Sequence, residues 1–375
     1  MSDTSPGGRI KGLDGLRGLA SLVVIVHNTS WISGPANRPL VKVFTAAAAS
    51  GWVGVQLFFV LSGFLITGII IDTRDVQGRL RRFFIRRALR IFPPYFLLLI
   101  LLFLVVVPLT RGSQWAQAAA HYQWTYWLYL SNWTEPYGLG VRGLGHLWSL
   151  AIEEQFYLLW PLLAYRMRSR QLRAILWMMV LSGPLVRYGL HWASFPELSL
   201  YSFTVARWDA LAVGALLAID ARNPVSLLWL QRWNGAVATC CLVALLALGI
   251  IQRGFHAQEL PIQLLGQSLT AIVSGCVIVT VVHAGQANWL RKSFSADWLV
   301  HVGKYSYAMY LFHVPVHTVL SPALSPWIQS SHDEWQLPKL LAYCLLVSVA
   351  AYGAARVSWL IVEEPSQHLK HRLTG

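Results

Sequence analysis

The chain has 375 residues, of which 55% are hydrophobic, 13% are aromatic and only 12% are charged. Soluble domains carry about 25% charged residues, so this composition indicates a polytopic membrane protein and argues against a soluble enzyme. The formal net charge of +14 comes from short basic runs between apolar segments. That pattern is typical of loop residues that set membrane orientation, and we expect no nucleic-acid partner. The four cysteines lie in apolar segments without metal-ligand spacing, and we expect no metal.

Apolar runs predict the transmembrane helices. A bilayer core about 30 Å thick needs roughly 20 helical residues, and ten runs come close to that length. They lie near residues 13–31, 51–71, 92–109, 146–165, 172–190, 201–219, 235–252, 263–284, 303–320 and 338–361. We therefore expect an all-α polytopic membrane protein, a bundle of about ten transmembrane helices. Its membrane domain would span residues 13–365, between short tails at 1–12 and 366–375.

The distribution of basic residues predicts the orientation of this bundle. Ten spans place both termini on one side, and nineteen lysines and arginines fall on that side. The opposite loops hold five, namely Arg38, Lys42, Arg111, Arg142 and Arg253. By the positive-inside rule both termini are cytoplasmic. The aromatic segment 115–131 is the weak point, because it could be interfacial or re-entrant, and a full span there would break the charge pattern.

The first predicted helix, LDGLRGLASLVVIVHN, carries Asp14, Arg17 and His27. Ionisable groups within a span are costly and indicate a functional site. Ten residues of helix place Arg17 and His27 about 15 Å apart along the axis. An imidazole can take a proton from a hydroxyl near neutral pH, so His27 is a candidate general base. The alternative is a hydrogen-bonded packing residue.

The densest basic run, FFIRRALRIFPPY, precedes the third predicted span. Arg86 and Arg90 are four residues apart and share a helix face, with Arg87 alongside. Pro93 and Pro94 are expected to end that turn. Guanidinium groups bind phosphate bidentately, so the run predicts a site for a phosphorylated ligand. Orientation and contact with anionic lipid are the alternative.

The fourth predicted helix, HLWSLAIEEQFYLLWP, places His146, Glu153 and Glu154 near its extracytoplasmic end. Adjacent helical positions point about 100° apart, so we expect only one of the two carboxylates to face a site shared with His27. Helix-end charges are the alternative interpretation.

Two later spans also contain polar groups. Arg207 and Asp209 in the sixth are expected to form structural ion pairs with another span, for instance through Asp14 or Arg17. The ninth, YSYAMYLFHVP, holds aromatic and imidazole groups that would either pack in the core or line an acceptor cavity; these are Tyr307, Tyr310 and His313.

Several segments together resemble the acyltransferase 3 family of membrane O-acyltransferases, which modify cell-envelope glycans and some natural products. They are LDGLRGLASLVVIVH, FFIRRALRIFPPY, HLWSLAIEEQFYLLWP, RWDALAVGALLA, GKYSYAMYLFHVP and VEEPSQHL, in the expected order from about residue 12 to 368. The resemblance implies a bundle of about ten helices that takes an acyl group from cytoplasmic acyl-CoA and delivers it to a hydroxyl. It also implies the stand-alone form, without an SGNH domain.

The resemblance further implies roles for individual residues. Arg17 and His27 match the family's first-helix arginine and histidine, although the common pattern has the histidine eleven residues after the arginine, where this chain has Asn28. The paired arginines are Arg87 and Arg90, or Arg86 and Arg90. The expected catalytic residues are His27, Glu153 and Glu154. Acyl-CoA would be bound by Arg17, Arg86, Arg87 and Arg90. The acceptor would be contacted by His146, Tyr310 and His313.

The sequence therefore predicts an O-acyltransferase of the bacterial cytoplasmic membrane, surrounded by membrane lipids. It would move an acyl group, with acetyl-CoA the foremost donor, to a hydroxyl of a sugar, a cell-envelope glycan or a glycosylated natural product. Direct attack and a covalent acyl-histidine are both compatible with the sequence. The rival function is a proton-coupled secondary transporter or exporter, because intramembrane His, Glu and Arg also build proton pathways. A non-catalytic scaffold is a third reading.

Overall fold

A computed structural model describes residues 4–5, 9–34, 38–110, 112–252, 254–285, 287–330 and 334–374. Parts of the predicted N-terminal tail and the last residue of the predicted C-terminal tail lie outside this range. Arg111 and Arg253, which enter the charge count, also lie outside the described residues.

The described chain is almost entirely helical, and ten of its helices have 17 or more residues. They are α1 (Lys11–Ser30), α2 (Val53–Asp72), α3 (Arg79–Leu99), α4 (Trp148–Ala164), α5 (Ser169–Trp192), α6 (Thr204–Asp220), α7 (Pro224–Ile251), α8 (Gln267–His283), α9 (Asp297–Gln329) and α10 (Gln336–Ser358). Each of the ten apolar runs overlaps one of these helices.

Shorter elements connect the long helices. The α-helical ones are Pro39–Ala49, Val107–Leu109, Gln114–Tyr122, Trp124–Trp127, Ser131–Thr134, Glu197–Ser202, Trp289–Phe294 and Glu364–Thr374. Turns of 3₁₀ helix lie at Trp31–Ser33, Ser50–Trp52, Glu135–Tyr137 and Gly145–Leu147, and π-helical turns at Ile100–Val106, Ile262–Gly266 and Trp359–Glu363. Two-residue strands, Thr4–Ser5 and Arg9–Ile10, pair antiparallel.

Six helical stretches of the described chain are long and apolar enough to cross a membrane. They are Pro39–Asp72, Arg79–Leu109, Glu197–Asp220, Pro224–Ile251, Ile262–His283 and Gln336–Leu369. Among the long helices outside this group, α1 contains Asp14 and Arg17, and α4 contains Glu153 and Glu154. The helices with the candidate catalytic residues are thus among the more polar ones.

The proline pair in α3 corrects one sequence expectation. Pro93 and Pro94 lie inside the helix Arg79–Leu99 and do not end the arginine-bearing turn. Each proline removes one backbone hydrogen bond, but a membrane helix tolerates this loss where its neighbours pack against it. The arginines therefore continue without a break into an apolar helix.

The aromatic segment between α3 and α4 does not form a full span in the structure. Its helices Gln114–Tyr122, Trp124–Trp127 and Ser131–Thr134 have nine, four and four residues. The Tyr95 hydroxyl donates to the Tyr126 carbonyl at 2.8 Å, which ties this segment to α3. We conclude that residues 115–131 fold against the bundle rather than cross a bilayer.

Glycines bring two pairs of long helices into close contact. A Cβ at Gly303 of α9 would overlap the carbonyl of Asp14 in α1. In the same way, a Cβ at Gly214 of α6 would overlap the carbonyl of Val60 in α2. Small residues allow such backbone approach between membrane helices. These contacts fix α1 against α9 and α2 against α6.

Candidate active site

A narrow cavity of about 70 Å³ lies among α1, α2, α3, α4 and α9. Apolar side chains from α2, α3 and α4 form part of its wall. Its polar lining comprises Arg17, Ser62, Arg87, Arg90, Ser149, Glu153, Tyr157, Ser306, Tyr307 and Tyr310. The cavity therefore brings together predicted site residues that are up to 293 positions apart in the sequence, from 17 to 310.

Glu153 is held by a chain of hydroxyl groups. The Ser62 hydroxyl donates to Glu153 Oε1 at 2.5 Å, and the Tyr157 hydroxyl donates to Ser62 Oγ at 2.7 Å. Tyr157 follows Glu153 by one helical turn on α4, whereas Ser62 comes from α2. These two hydrogen bonds orient the Glu153 carboxylate at the cavity wall. Glu154 points about 100° away and is not among the lining residues.

The arginines of the cavity come from α1 and α3. Arg17 Nη1 lies 3.8 Å from Asp14 Oδ1, one turn earlier on α1. The Arg87 guanidinium lies over the Tyr157 ring, 5.2 Å from its centroid. Arg90 lines the cavity one turn after Arg87, whereas Arg86 is exposed and does not line it. Of the two arginine pairs left open by the sequence, the geometry brings Arg87 and Arg90 to the cavity.

The structure does not bring His27 to this cavity. Its Nδ1 lies 2.9 Å from the carbonyl oxygen of Ala48, and its ring meets Trp31 edge-on at 6.3 Å between centroids. The next residue faces elsewhere, because Asn28 Nδ2 lies 3.0 Å from His313 Nε2 on α9. The predicted grouping of His27 with Glu153 is thus absent from the geometry. Asn28 was not predicted as a site residue, although its spacing from Arg17 pointed to it.

The three predicted acceptor residues lie close together, and one of them, Tyr310, lines the cavity. The Tyr310 hydroxyl lies 2.5 Å from Ser149 Oγ and donates to the His146 carbonyl at 3.1 Å. The His146 ring lies 5.0 Å from the His313 ring and 5.6 Å from the Tyr310 ring. Tyr310 and Ser149 line the cavity, whereas His146 and His313 do not.

A second group of buried charges does not line the polar cavity. Arg187 of α5 donates from both Nη1 and Nη2 to Asp209 Oδ2 at 3.0 Å, and the Ser268 hydroxyl donates to the same oxygen at 2.5 Å. Both charged side chains are almost completely buried. Asp209 therefore does pair with another helix, but its partner is Arg187 and not the expected Arg17. In the sequence Arg187 stands alone among apolar residues, so no local pattern predicted its ion pair with Asp209.

Arg207 is also fully buried, and no carboxylate among the described residues lies within ion-pair distance of it. Its Nη2 donates to Gln56 Oε1, and its guanidinium lies 4.9 Å from the centroid of the Tyr201 ring and 5.4 Å from that of Phe59. The expected ion pair of Arg207 is thus replaced by an amide and aromatic faces.

A larger, apolar cavity of about 630 Å³ lies among α1, α2, α7 and α8. Leucine, valine and isoleucine side chains form most of its wall, and no charged residue lines it. It offers room for hydrocarbon and no group for acid–base chemistry.

The polar cavity has the groups that a transfer reaction needs. Its arginines suit phosphate, and its carboxylate suits proton transfer. Within the described residues, no three His, Cys, Asp or Glu side chains are grouped closely enough to hold a metal ion.

Comparisons with known proteins agree on one class. A family model described as an acyltransferase domain matches residues 10–355. The peptidoglycan O-acetyltransferase OatA of Listeria monocytogenes is 27% identical over 383 residues, which cover 95% of this chain and 55% of that protein. The O-acetyltransferase OatA of Staphylococcus aureus is 27% identical over 378 residues, covering 95% and 57%. The chain thus spans little more than half the length of these relatives. No solved structure matches it.

Proposed function

The chain belongs to the acyltransferase 3 family, and from this membership we propose that it is a membrane enzyme that O-acetylates a cell-envelope glycan. Acetyl-CoA is the proposed donor, and a hydroxyl of a peptidoglycan-like sugar is the proposed acceptor. The Listeria relative is a peptidoglycan O-acetyltransferase, which supports this choice of acceptor over a glycosylated natural product.

The polar cavity is the observation that carries the proposal. Arg87 and Arg90 lie at the wall of the cavity that also contains Glu153 and Tyr310. Guanidinium groups there would bind the phosphates of acyl-CoA, and the thioester would extend towards Tyr310. We further propose that all ten long helices cross a bacterial cytoplasmic membrane with both termini inside. The arginines of α3 would then meet the cytoplasmic pool of acyl-CoA.

In the proposed reaction an acyl group moves from the sulfur of acyl-CoA to the oxygen of the acceptor hydroxyl. The acceptor hydroxyl oxygen attacks the thioester carbonyl carbon, the carbon–sulfur bond breaks, and an ester and coenzyme A form. A general base takes the hydroxyl proton and returns it to the departing thiolate. Glu153 lines the cavity, where its carboxylate would receive that proton or stabilise a cationic base.

Release of coenzyme A tests this proposal directly. The purified protein, in vesicles of anionic phospholipid, is mixed with acetyl-CoA and soluble peptidoglycan fragments; free thiol and ester-linked acetyl are then measured. We expect release that depends on the glycan. Arg87→Ala should reduce it about 10- to 100-fold, because a charge-assisted contact with phosphate is lost. Arg86→Ala is the matched control and should stay within about twofold, because Arg86 is exposed and outside the cavity.

Two results would contradict the proposal. One is the absence of thiol release with any glycan, accompanied by proton-dependent uptake of a solute, which would favour a transporter. The other is an equal loss in Arg86→Ala and Arg87→Ala, which would place the donor away from the cavity.

A further inference from the structure

We propose that a polar pocket at the C-terminal end of α1 binds a carboxylate-bearing sugar of the acceptor glycan, with Trp31 and Lys42 as its main contacts. The inference rests on the proposed function and names the part of the acceptor that the protein recognises. The pocket has a volume of about 360 Å³, within the usual range for small-molecule sites. We call it the α1-end pocket, and its polar and aromatic lining includes Ser30, Trp31, Ser33, Lys42, Thr45 and His256.

Three segments that are distant in the sequence form the α1-end pocket. They are the end of α1 with the turn Trp31–Ser33, the short helix Pro39–Ala49, and the loop after α7. The loop is anchored to the turn before α2, because the buried Trp52 indole donates to the Phe255 carbonyl at 3.1 Å and stacks on the Phe255 ring. This anchor holds the next residue, His256, at the pocket wall.

The α1-end pocket and the donor-binding arginines lie towards opposite ends of α1. Ser30 follows Arg17 by thirteen residues, which corresponds to about 20 Å along the helix axis. In the proposed orientation this end of α1 faces the extracytoplasmic side, where a cell-envelope glycan is found. Donor and acceptor would therefore approach the protein from opposite faces of the membrane.

His27, the candidate general base, contacts the wall of this pocket. Its ring meets the Trp31 ring edge-on at 6.3 Å between centroids. Its Nδ1 lies 2.9 Å from the carbonyl oxygen of Ala48, and a carbonyl can only accept, so Nδ1 carries the hydrogen of the neutral ring and Nε2 the lone pair. The residue after Ala48, Ala49, lines the pocket. A sugar in the pocket would contact Trp31, which in turn contacts the imidazole that the sequence predicts to be catalytic.

The charges of the pocket favour an anionic sugar. Lys42 is exposed and forms no ion pair with a described residue. His256 is a second group that can carry positive charge, and no Asp or Glu of the described chain lines the pocket. An ammonium group binds a carboxylate through charge-assisted hydrogen bonds. We therefore expect the bound sugar to carry a carboxylate.

Trp31 gives the pocket a flat apolar surface for a sugar ring. Its side chain is 60% exposed, so most of it is available to a ligand. A sugar ring has an apolar C–H face, and an indole is a large, rigid surface for packing against that face. The Ser30 and Thr45 hydroxyls donate to carbonyls of their own helices, and their oxygens can still accept hydrogen bonds from the hydroxyls of a sugar.

The pocket would orient the glycan and take no part in bond making. Because a glycan is a chain of sugars, one unit held in the pocket positions its neighbours, and one of these can supply the hydroxyl that attacks the thioester. The α1-end pocket would thus determine which glycans are accepted, whereas the polar cavity would bind the donor.

Equilibrium binding without acetyl-CoA tests the pocket independently of turnover. The probes are a peptidoglycan disaccharide with a free carboxylate on its sugar and the same disaccharide with that carboxylate converted to a methylamide. Titration calorimetry of the protein in detergent measures both Kd values. We expect the wild-type protein to bind the carboxylate probe about three- to tenfold more tightly than the amide probe.

Lys42→Gln should abolish this preference, with the Kd of the amide probe within about twofold of wild type. Arg38→Gln is the matched control and should keep the preference. It removes the same charge from the N-cap of the same short helix, but Arg38 does not line the pocket. In the transfer assay Lys42→Gln should raise the KM for the carboxylate-bearing glycan by about the same factor, with the KM for acetyl-CoA within about twofold.

Trp31→Leu should weaken the binding of both probes about tenfold, because the aromatic surface contacts the sugar ring and not its charge. Membrane interfaces also attract tryptophan, so Trp335→Leu is the control for a general interfacial role. Trp335 is also exposed and does not line the pocket. Its replacement should leave both Kd values within about twofold of wild type.

Several results would overturn the inference. They are equal Kd values of the two probes in the wild-type protein, equal loss of the preference in Lys42→Gln and Arg38→Gln, and unchanged binding in Trp31→Leu. Copurified anionic phospholipid that is lost in Lys42→Gln, with disaccharide binding unchanged, would also overturn it, because the pocket would then hold a lipid headgroup. The expected binding without coenzyme A release by the wild-type protein would instead refute the proposed function and support the pocket.

Discussion

Two groups of charged side chains lie within the helical bundle, and they differ in what surrounds them. The cavity cluster, consisting of Arg17, Arg87, Arg90 and Glu153, lines the polar cavity. The ion-pair cluster, consisting of Arg187, Asp209 and Ser268, is closed, and its hydrogen bonds join α5, α6 and α8.

The comparison separates two uses of charge in a membrane. Burying a charge is costly in either cluster. In the ion-pair cluster Asp209 accepts hydrogen bonds from Arg187 and Ser268, so the charges hold helices together. In the cavity cluster the charges border open space. A buried charge alone therefore does not identify a site, and the adjoining cavity supplies the missing information.

The largest effect is expected from Glu153→Gln, which removes the charge but keeps the shape. Transfer should fall about 10²- to 10³-fold because the carboxylate no longer supports proton transfer, while the thermal midpoint in detergent changes little. Glu154→Gln is the matched control and should lose much less, because Glu154 does not line the cavity. Equal losses in both variants would show that lining the cavity does not decide which of the two glutamates takes part in the reaction.

The opposite outcome is expected in the ion-pair cluster. Asp209→Asn should lower the free energy of unfolding by about 3–5 kcal/mol, because Arg187 is left buried without a counter-charge. Transfer per folded molecule should be retained. Thermal unfolding and the transfer rate of the monodisperse fraction measure the two quantities separately. An unchanged thermal midpoint with lost transfer would instead make this cluster part of the reaction site.

A smaller effect is expected from Ser62→Ala in the cavity cluster. The Ser62 hydroxyl links Tyr157 to Glu153, so its loss removes one hydrogen bond from the carboxylate. A single bond of this kind contributes about 1 kcal/mol, which corresponds to about a fivefold lower transfer rate. Tyr157→Phe should give a similar loss. Faster transfer in either variant would mean that the Ser62 and Tyr157 hydroxyls restrain the Glu153 carboxylate instead of orienting it for the reaction.

The smallest effect concerns Glu135, a carboxyl group outside both clusters, between α3 and α4. Burial raises its pKa from 4.5 to about 7, while a hydrogen bond with Tyr126 acts in the opposite direction. The folded state binds this proton more tightly than the unfolded state does, so the stability contribution is complete below the unfolded pKa. It is lost as the pH rises through the folded pKa.

We therefore expect the thermal midpoint to fall by a few degrees between about pH 5 and pH 8. In Glu135→Gln this part of the decrease should disappear, with the transfer rate unchanged at each pH. A decrease of the same size in the variant would assign the pH dependence to other groups.

The sequence predicted the positions of the helices better than their contacts. Apolar runs predicted the positions of all ten long helices, because the length and hydrophobicity of a segment are read from contiguous residues. The run after α3 was ambiguous, since aromatic residues suit both an interface and a span, and only the short helices from Gln114 to Thr134 resolve it. Prolines gave a wrong end for the arginine-bearing turn, because neighbouring helices compensate for their missing hydrogen bonds.

The sequence singled out five residues that line the cavity, but not the helix contacts that bring them together. These residues are Arg17, Arg87, Arg90, Glu153 and Tyr310. The contact between Asn28 and His313 spans 285 positions, and no local pattern encodes it. The pairing of Arg187 with Asp209 depends in the same way on how α5 packs against α6.

Photolabelling tests most directly the central claim that the polar cavity binds the acyl donor. The purified protein is irradiated with a diazirine-bearing acyl-CoA, with and without excess acetyl-CoA, and the labelled residues are identified by mass spectrometry. The account predicts labels on cavity residues such as Ile91, Tyr307 and Tyr310, all suppressed by acetyl-CoA. Labels confined to the apolar cavity, on α7 residues such as Leu242 and Leu246, would contradict it.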